Sequence, residues 1–359
     1  MTAGRDLAAF VLPFAAGIMA ASISGLSSYA ASEASLFIAS SSIFLLCHPS
    51  RSSLNSASVL SLIITSSIAA GCLVGFTHNH WSISLTAGDF QISDLGMKVK
   101  SCIDDIPFKD SQTNNIISAL ITGERSGISP EVKSAFKRSG ASHILALSGL
   151  HLGIIYGLLS VILSLLGKNP FARSCRSLLT ITSCALYTYA TGAGPSITRA
   201  FLFVLIGETA RLTGRSTDIS DTLMAALFIQ LLLSPASAAE PGFQLSYAAM
   251  AGIAYIFPYL KGFWPEGKGG IMRWVWNSAA LSIACQITTG PLAYLYFGTF
   301  PKYFILTNML ALPLVGIIIP TSILTLLLNY MGICPDILIK ATELLVSCMT
   351  GILGTIALL

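Results

Sequence analysis

The chain has 359 residues, of which 53% are hydrophobic and only 10% charged, and its mean hydropathy is +0.75. A soluble domain carries about 25% charged residues, so this composition excludes an ordinary soluble enzyme or binding domain and describes an integral membrane protein. The formal net charge of +4 is a surplus of loop cations and does not by itself indicate a nucleic-acid partner.

Apolar runs long enough to span, or nearly so, fall at 7–25, 33–47, 58–76, 142–166, 177–191, 196–210, 219–233, 243–260, 274–297, 303–329 and 337–357. They predict an all-α polytopic membrane protein of about eleven transmembrane helices. Several runs are shorter than the usual length of about twenty residues, which predicts helices that are broken, re-entrant or buried among neighbours. The first run follows Arg5 and ends near Ser22; because further spans follow, a retained anchor is expected rather than a cleaved signal. The runs divide the chain into N-terminal membrane helices over 1–76, a short extracytoplasmic segment over 77–141 and a second helical set over 142–359.

The segment 77–141 carries seven acids and seven bases. Within it, Ser129-Pro130-Glu131 reads as an N-cap, a first-turn proline and a dipole-matched acid, and Lys137 and Arg138 close the helix before Gly140. Val132, Ala135 and Phe136 give that helix one apolar face. It is expected on the outer membrane surface, over a vestibule, or as a packed loop helix. Of the eight cysteines, Cys102 alone lies plainly in this segment, where Cys72 at the end of the third span is placed to reach it in a single disulfide. The others read as small buried hydrophobes. His78 and His80 form an isolated pair without further ligands close behind, and no metal or cofactor is expected.

The span from 142 to 166 carries Gly149, Gly153 and Gly157 one turn apart, with His143, Ser148 and His151 among otherwise apolar residues. The glycines form a stripe on which a second backbone could approach closely. His151 falls roughly opposite, and an ionisable group at membrane depth normally faces a bundle interior or a wet path. The plainer reading is a tight helix contact with two hydrogen-bonded histidines.

Three further stretches place polar or helix-breaking groups at membrane depth. In Thr191-Gly-Ala-Gly-Pro-Ser-Ile-Thr-Arg-Ala200, Gly192, Gly194 and Pro195 make a tight re-entry into a helix whose free N–H groups suit an anion, with Arg199 one turn inside. A snorkelling arginine is the alternative. Glu208, nine residues on, faces away from Arg199. In Glu240-Pro-Gly-Phe-Gln-Leu-Ser246, Pro241 and Gly242 open a helix carrying Gln244, a residue that commonly cross-links membrane helices. Between Gly298 and Pro320, Asn308 and Pro313 interrupt an apolar run, a break tolerated only against protein or water.

Cations set the orientation. With the N-terminus inside, Arg5, Arg51, Lys168, Arg173, Arg176, Arg211, Arg215, Lys261, Lys268 and Arg273 are cytoplasmic, and the short outer loops hold only Lys302. Trp264, Trp274 and Trp276 border the inner loop at 261–273, as an aromatic belt would.

Taken together, His143-Ile-Leu-Ala-Leu-Ser-Gly-Leu-His-Leu-Gly153, Gly192-Ala-Gly-Pro-Ser-Ile-Thr-Arg-Ala200, Pro241-Gly-Phe-Gln-Leu-Ser246 and Asn308-Met-Leu-Ala-Leu-Pro-Leu-Val315 resemble the ordered motifs of the ComEC competence proteins. Gly123-Glu-Arg-Ser-Gly-Ile-Ser129 is similar to the family's lead-in. The resemblance implies an inner-membrane channel that imports single-stranded DNA in naturally competent bacteria, multi-pass with its N-terminus inside. It makes 142–359 the competence-type channel domain. His143, Ser148, His151, Arg199, Gln244 and Asn308 carry over as candidates for the substrate path. An outer DNA receptor, a helicase-like motor, membrane lipid and further copies of the chain are the partners it implies.

Longer members have an outer oligonucleotide-binding barrel and a metallo-β-lactamase-like domain. Segment 77–141 is too short for a complete barrel, and no His-x-His-x-Asp-His cluster occurs, so no nuclease chemistry is expected of these residues, which are not read as an enzyme; the chain is either a minimal form without the metallo-β-lactamase-like domain or part of a longer parent. Arg199 is the only clear cation in the outer halves of the spans, whereas a strand-conducting groove pairs cations with stacking aromatics. A secondary transporter of a small anionic metabolite, built on broken helices, is therefore the alternative, and a packing scaffold a third.

Overall fold

The computed structural model describes residues 3–23, 64–65, 67–72, 74, 93–167, 169–215, 218–264, 270–298 and 302–358. Among them every regular element is helical: α1 (Ala3–Ile23), α2 (Asp94–Asp104), α3 (Ser111–Thr122), α4 (Pro130–Arg138), α5 (Ser142–Leu145), α6 (Gly149–Leu163), α7 (Pro170–Ala190), α8 (Pro195–Leu212), α9 (Ile219–Leu233), α10 (Pro241–Ala251), α11 (Phe257–Gly262), α12 (Ile271–Phe297), α13 (Phe304–Tyr330) and α14 (Asp336–Leu358). The predicted span 33–47, most of 58–76, and His78 and His80 lie outside the described residues. Gly149–Leu166, Phe304–Tyr330 and Asp336–Leu358 are each long and apolar enough to cross a membrane, and Ala8–Met19 and Ile219–Leu233 are shorter apolar helices. The chain is thus a helical membrane protein.

Two compact units emerge, one of residues 1–88 and 216–247, the other of 89–215 and 248–359. In the first, Phe10 and Phe14 of α1 pack edge-on against Phe228 of α9, with ring centroids 5.5 and 5.1 Å away. A Cβ added at Gly17 would run into the Ile68 carbonyl, and one at Gly71 into the Phe14 carbonyl. The two backbones therefore touch at this crossing, which small residues alone permit. The Cys72 thiol donates there to Gly17 O at 3.2 Å. Cys72 and Cys102 are both free thiols, so the one disulfide that the sequence left open is not formed.

The second unit is built around one apolar core shared by α2–α5, α13 and α14, with Ile117, Leu120, Phe136, Ile144, Val315 and Met349 at or below 1% exposure. The segment expected as a small outer insert is thus integrated with the long helices. α3 is buried over Ile116–Thr122, and Asp110 N donates to Glu343 of α14 at 3.0 Å. α4 forms as predicted: Ser129 Oγ accepts from Val132 N, Pro130 opens the helix, and Lys137 and Arg138 end it. Phe136 fastens it into the core, so α4 is packed on protein.

A separate small core, with Leu152, Cys184 and Ile197 at its centre, joins α6, α7 and α8. A π-helical turn at Gly252–Ile256 lets α12 come close; a Cβ at Gly252 would lie 2.5 Å from Ala284 O. The break expected near Pro313 does not occur. α13 runs unbroken for 27 residues through Pro313 and Pro320, because surrounding helices let a membrane helix tolerate proline.

Candidate substrate-path site

The span predicted at 142–166 is two helices. α5 ends after a single turn, Ala146 is extended (φ −75°, ψ 124°), and Ser148 (φ −134°, ψ 172°) is the N-cap of α6. The cause is local. Serine is a strong N-cap residue, and His151, three positions on, takes the Ser148 backbone N–H on Nδ1 at 3.2 Å, with Ser148 Oγ 3.1 Å from the same nitrogen. Histidine occupies the place usually held by Glu or Gln in a reciprocal cap.

This contact fixes the tautomer. A backbone N–H can only donate, so Nδ1 is an acceptor and the neutral ring carries its proton on Nε2. His151 is 0% exposed, and Nε2 has no hydrogen-bond partner within the protein. A buried donor without a well-formed bond costs about 1–3 kcal/mol, and the Ile144 carbonyl is the backbone acceptor near this ring.

His143 has the opposite tautomer. Its Nδ1 lies 3.2 Å from Gly140 O, and a carbonyl can only accept, so the proton is on Nδ1. The ring is exposed, sits 5.7 Å from that of Phe304, and lies against the Asn308 side chain. Asn308 is buried; its side chain is within hydrogen-bonding reach of the His143 ring, although Oδ1 makes no well-formed bond among the described residues. Thr307 holds this turn of α13 in place by donating Oγ1 to Ser139 O at 2.7 Å. His143 and Arg125 are both within electrostatic reach of His151.

Arg199 approaches from α8. The turn before that helix places Gly192 at φ 82° and Ala193 at φ 51°, a left-handed conformation that costs a non-glycine residue roughly 1–2 kcal/mol. Pro195 then opens α8, and Arg199, one turn in, is 3% exposed. Its neighbour Ala200 faces Gly149, where an added Cβ would come within 3.3 Å of the Ala200 Cβ. Gly153, Gly157 and Gly194 have no such neighbour within 4 Å. Of the three glycines of the predicted stripe, Gly149 alone makes such a contact among the described residues.

The structure thus gathers His143, Ser148, His151 and Asn308, with the Arg199 turn alongside the start of α6. Gln244 belongs to the first unit, where Nε2 donates to Ala238 O at 2.9 Å and ties the turn Pro235–Ala239 to the start of α10 at Pro241 and Gly242. Arg125 is the member that the sequence did not single out, although it stands in the quoted stretch Gly123–Ser129. Beside it, Glu124 accepts from Ser126 N at 2.8 Å. The Ser126 side-chain and backbone hydrogen bonds hold its carboxyl below the usual range.

A second polar cluster was also missed. Glu208, 2% exposed, accepts from Tyr156 Oη (2.8 Å) and Ser177 Oγ (2.7 Å) and pairs with Arg211 Nη1 (3.1 Å). The available signal was an acid inside an apolar run with an arginine three residues later. Among the described residues no group of three or more His, Cys, Asp or Glu is placed to hold a metal.

Chemically, the first site offers donors to an oxygen-rich anion: Nε2–H of His151, the leading N–H groups of α6, and the Arg125 guanidinium within electrostatic reach. Residues 120–359, which include all of it, match the family described as Competence protein. The chain is 27% identical over 248 residues to ComE operon protein 3 of Bacillus subtilis (strain 168), covering 66% of this chain and 30% of that protein. It is 24% identical over 224 residues to the Uncharacterized protein YcaI of Escherichia coli (strain K12), covering 61% of this chain and 29% of that one. The matches thus span under a third of the length of these curated relatives. No solved structure matches the chain.

Proposed function

The chain belongs to the competence protein family, and from that premise we propose that it forms the inner-membrane channel through which single-stranded DNA enters the cytoplasm during natural transformation. The observation that carries this reading is the polar cluster His143, Ser148, His151 and Asn308 in an otherwise apolar region, in which the buried Nε2 of His151 and Oδ1 of Asn308 make no well-formed hydrogen bond among the described residues. A phosphodiester supplies the acceptor that Nε2–H lacks, and an exocyclic base amine supplies the donor that Oδ1 lacks. Because both atoms are buried in this structure, the site opens when a strand passes, and it then offers a donor and an acceptor without binding the strand tightly.

The proposal includes about eleven spans with the N-terminus inside, as the distribution of cations supports. It also includes assembly with a DNA receptor, a motor and further copies of the chain, and it assigns no hydrolysis to these residues. The test is import of labelled DNA into a nuclease-protected cytoplasmic pool, in a deletion strain complemented with wild type, His151→Ala, Asn308→Ala or Gly153→Ala. The two site variants should lose the protected pool while surface-bound DNA and protein level stay normal, and Gly153→Ala should import normally. Normal import by both site variants would overturn the assignment.

A further inference from the structure

At the end of the α6–α8 group remote from the first site, the last turn of α6, the first turns of α7 and the last turn of α8 enclose a cleft of about 280 Å³. Ser160, Arg173, Arg176, Ser177, Thr180 and Arg211 line it. The opposite end of α7 is marked by Tyr187, which donates to Ile121 O, and by Ala190, whose carbonyl accepts from Ser93 Oγ. The cleft therefore lies on the side of the membrane that the basic loops assign to the cytoplasm.

Its base is built. Glu208 is 2% exposed and holds the Arg211 guanidinium through Nη1, while the same arginine's Nη2 donates to Tyr156 Oη at 3.3 Å. Two of the five guanidinium N–H groups are thereby used, and the remainder stay available in a fixed fork. One carboxylate offsets one of the three arginines. Among the described residues no carboxylate pairs with Arg173 or Arg176, so the cleft keeps a surplus of about two positive charges and adds the hydroxyls of Ser160 and Thr180.

The surroundings identify the ligand class. Leu165 (86% exposed), Phe171 (77%) and Leu178 (64%) stand on or next to the same helices with apolar surface that no described residue covers. A groove that tracks single-stranded nucleic acid is long and lined with stacking platforms. Here Phe171 is one exposed ring and not a row of platforms, and a short basic cleft between helix ends with apolar flanks is instead the form that takes a lipid headgroup at the cytoplasmic leaflet. We infer that the Arg173–Arg176–Arg211 cleft is a binding site for the headgroup phosphate of an anionic phospholipid, with the acyl chains lying along the exposed apolar faces of α6 and α7.

Arg173 and Arg176 lie on exposed or half-buried turns, so replacing both leaves the Glu208 network intact and the fold testable. Purified full-length chain is examined by native mass spectrometry and thermal unfolding with phosphatidylglycerol, phosphatidylcholine, inorganic phosphate and a thymidine oligonucleotide as probes. Wild type should retain phosphatidylglycerol and melt higher in it, with at least a tenfold preference over phosphatidylcholine, and R173Q/R176Q should lose that preference at unchanged basal melting. An equal preference in the double variant would overturn the proposal. So would equal stabilisation by millimolar phosphate alone, or displacement of the lipid by the oligonucleotide. None of these readouts depends on DNA import.

Discussion

Glu208→Ala removes a carboxylate that joins α6, α7 and α8, and its cost follows from the bonds it makes. Tyr156 on α6 and Ser177 on α7 donate to it across helix interfaces at 2.8 and 2.7 Å. Interhelical hydrogen bonds in membrane proteins are worth about 0.6 kcal/mol on average and about 1.7 at most, so the pair accounts for about 1–3 kcal/mol. The third partner, Arg211, has a side chain 57% exposed; solvent screening limits that pair to less than about 1 kcal/mol. The expected loss is therefore about 1–4 kcal/mol in reversible unfolding in mixed micelles, and smaller for Glu208→Gln, which keeps an acceptor oxygen. A double-mutant cycle with Tyr156→Phe should give a coupling of about 0.6–1.7 kcal/mol. A Glu208→Ala protein within about 0.5 kcal/mol of wild type, or a cycle that is additive within about 0.3–0.5 kcal/mol, would refute this reasoning.

Gly17→Leu should prevent a stable first unit, because its side chain would enter the Ile68 backbone; it is expected to lower the yield of monodisperse protein sharply, whereas Gly157→Leu, with open space around it, should not. Thr307→Val leaves the Ser139 carbonyl without its donor at 2.7 Å and should cost about 0.5–1.5 kcal/mol in the same unfolding assay. Glu124 has a folded-state pKa depressed below 4.5 by its Ser126 hydrogen bonds. Its stabilisation is therefore complete above the unfolded value and is lost as pH falls through the lower folded value. Melting curves above and below pH 4.5 should show that acid-side loss in wild type and its absence in Glu124→Gln, whose oxygen still accepts from Ser126.

Where one local rule dominates, the sequence was legible. The Ser129-Pro130-Glu131 opening of α4 was readable from capping chemistry, and α14 from uninterrupted hydropathy. The break at Ser148 was not, because it depends on a histidine acting as a cap acceptor, a role composition cannot distinguish from a membrane-depth polar residue. α3 was hidden because only Ile116–Ile121 is apolar after Gln112-Thr-Asn-Asn115, and its burial comes from the faces of α13 and α14. Pro313 suggested a break that tertiary neighbours prevent. His143, Ser148, His151 and Asn308 were named from their chemistry alone, but that His143 and His151 hold opposite tautomers is information only the backbone contacts supply.

The central claim is that a DNA strand passes the His143–His151–Asn308 site. The most direct measurement is photo-crosslinking in competent cells, with a photoreactive residue at exposed position 143 or, as control, at Leu295, 77% exposed on α12, while labelled DNA is stalled during import. The account predicts a strand adduct at position 143 and none at 295. Import that proceeds with no adduct at 143, or with equal adducts at both positions, would contradict it.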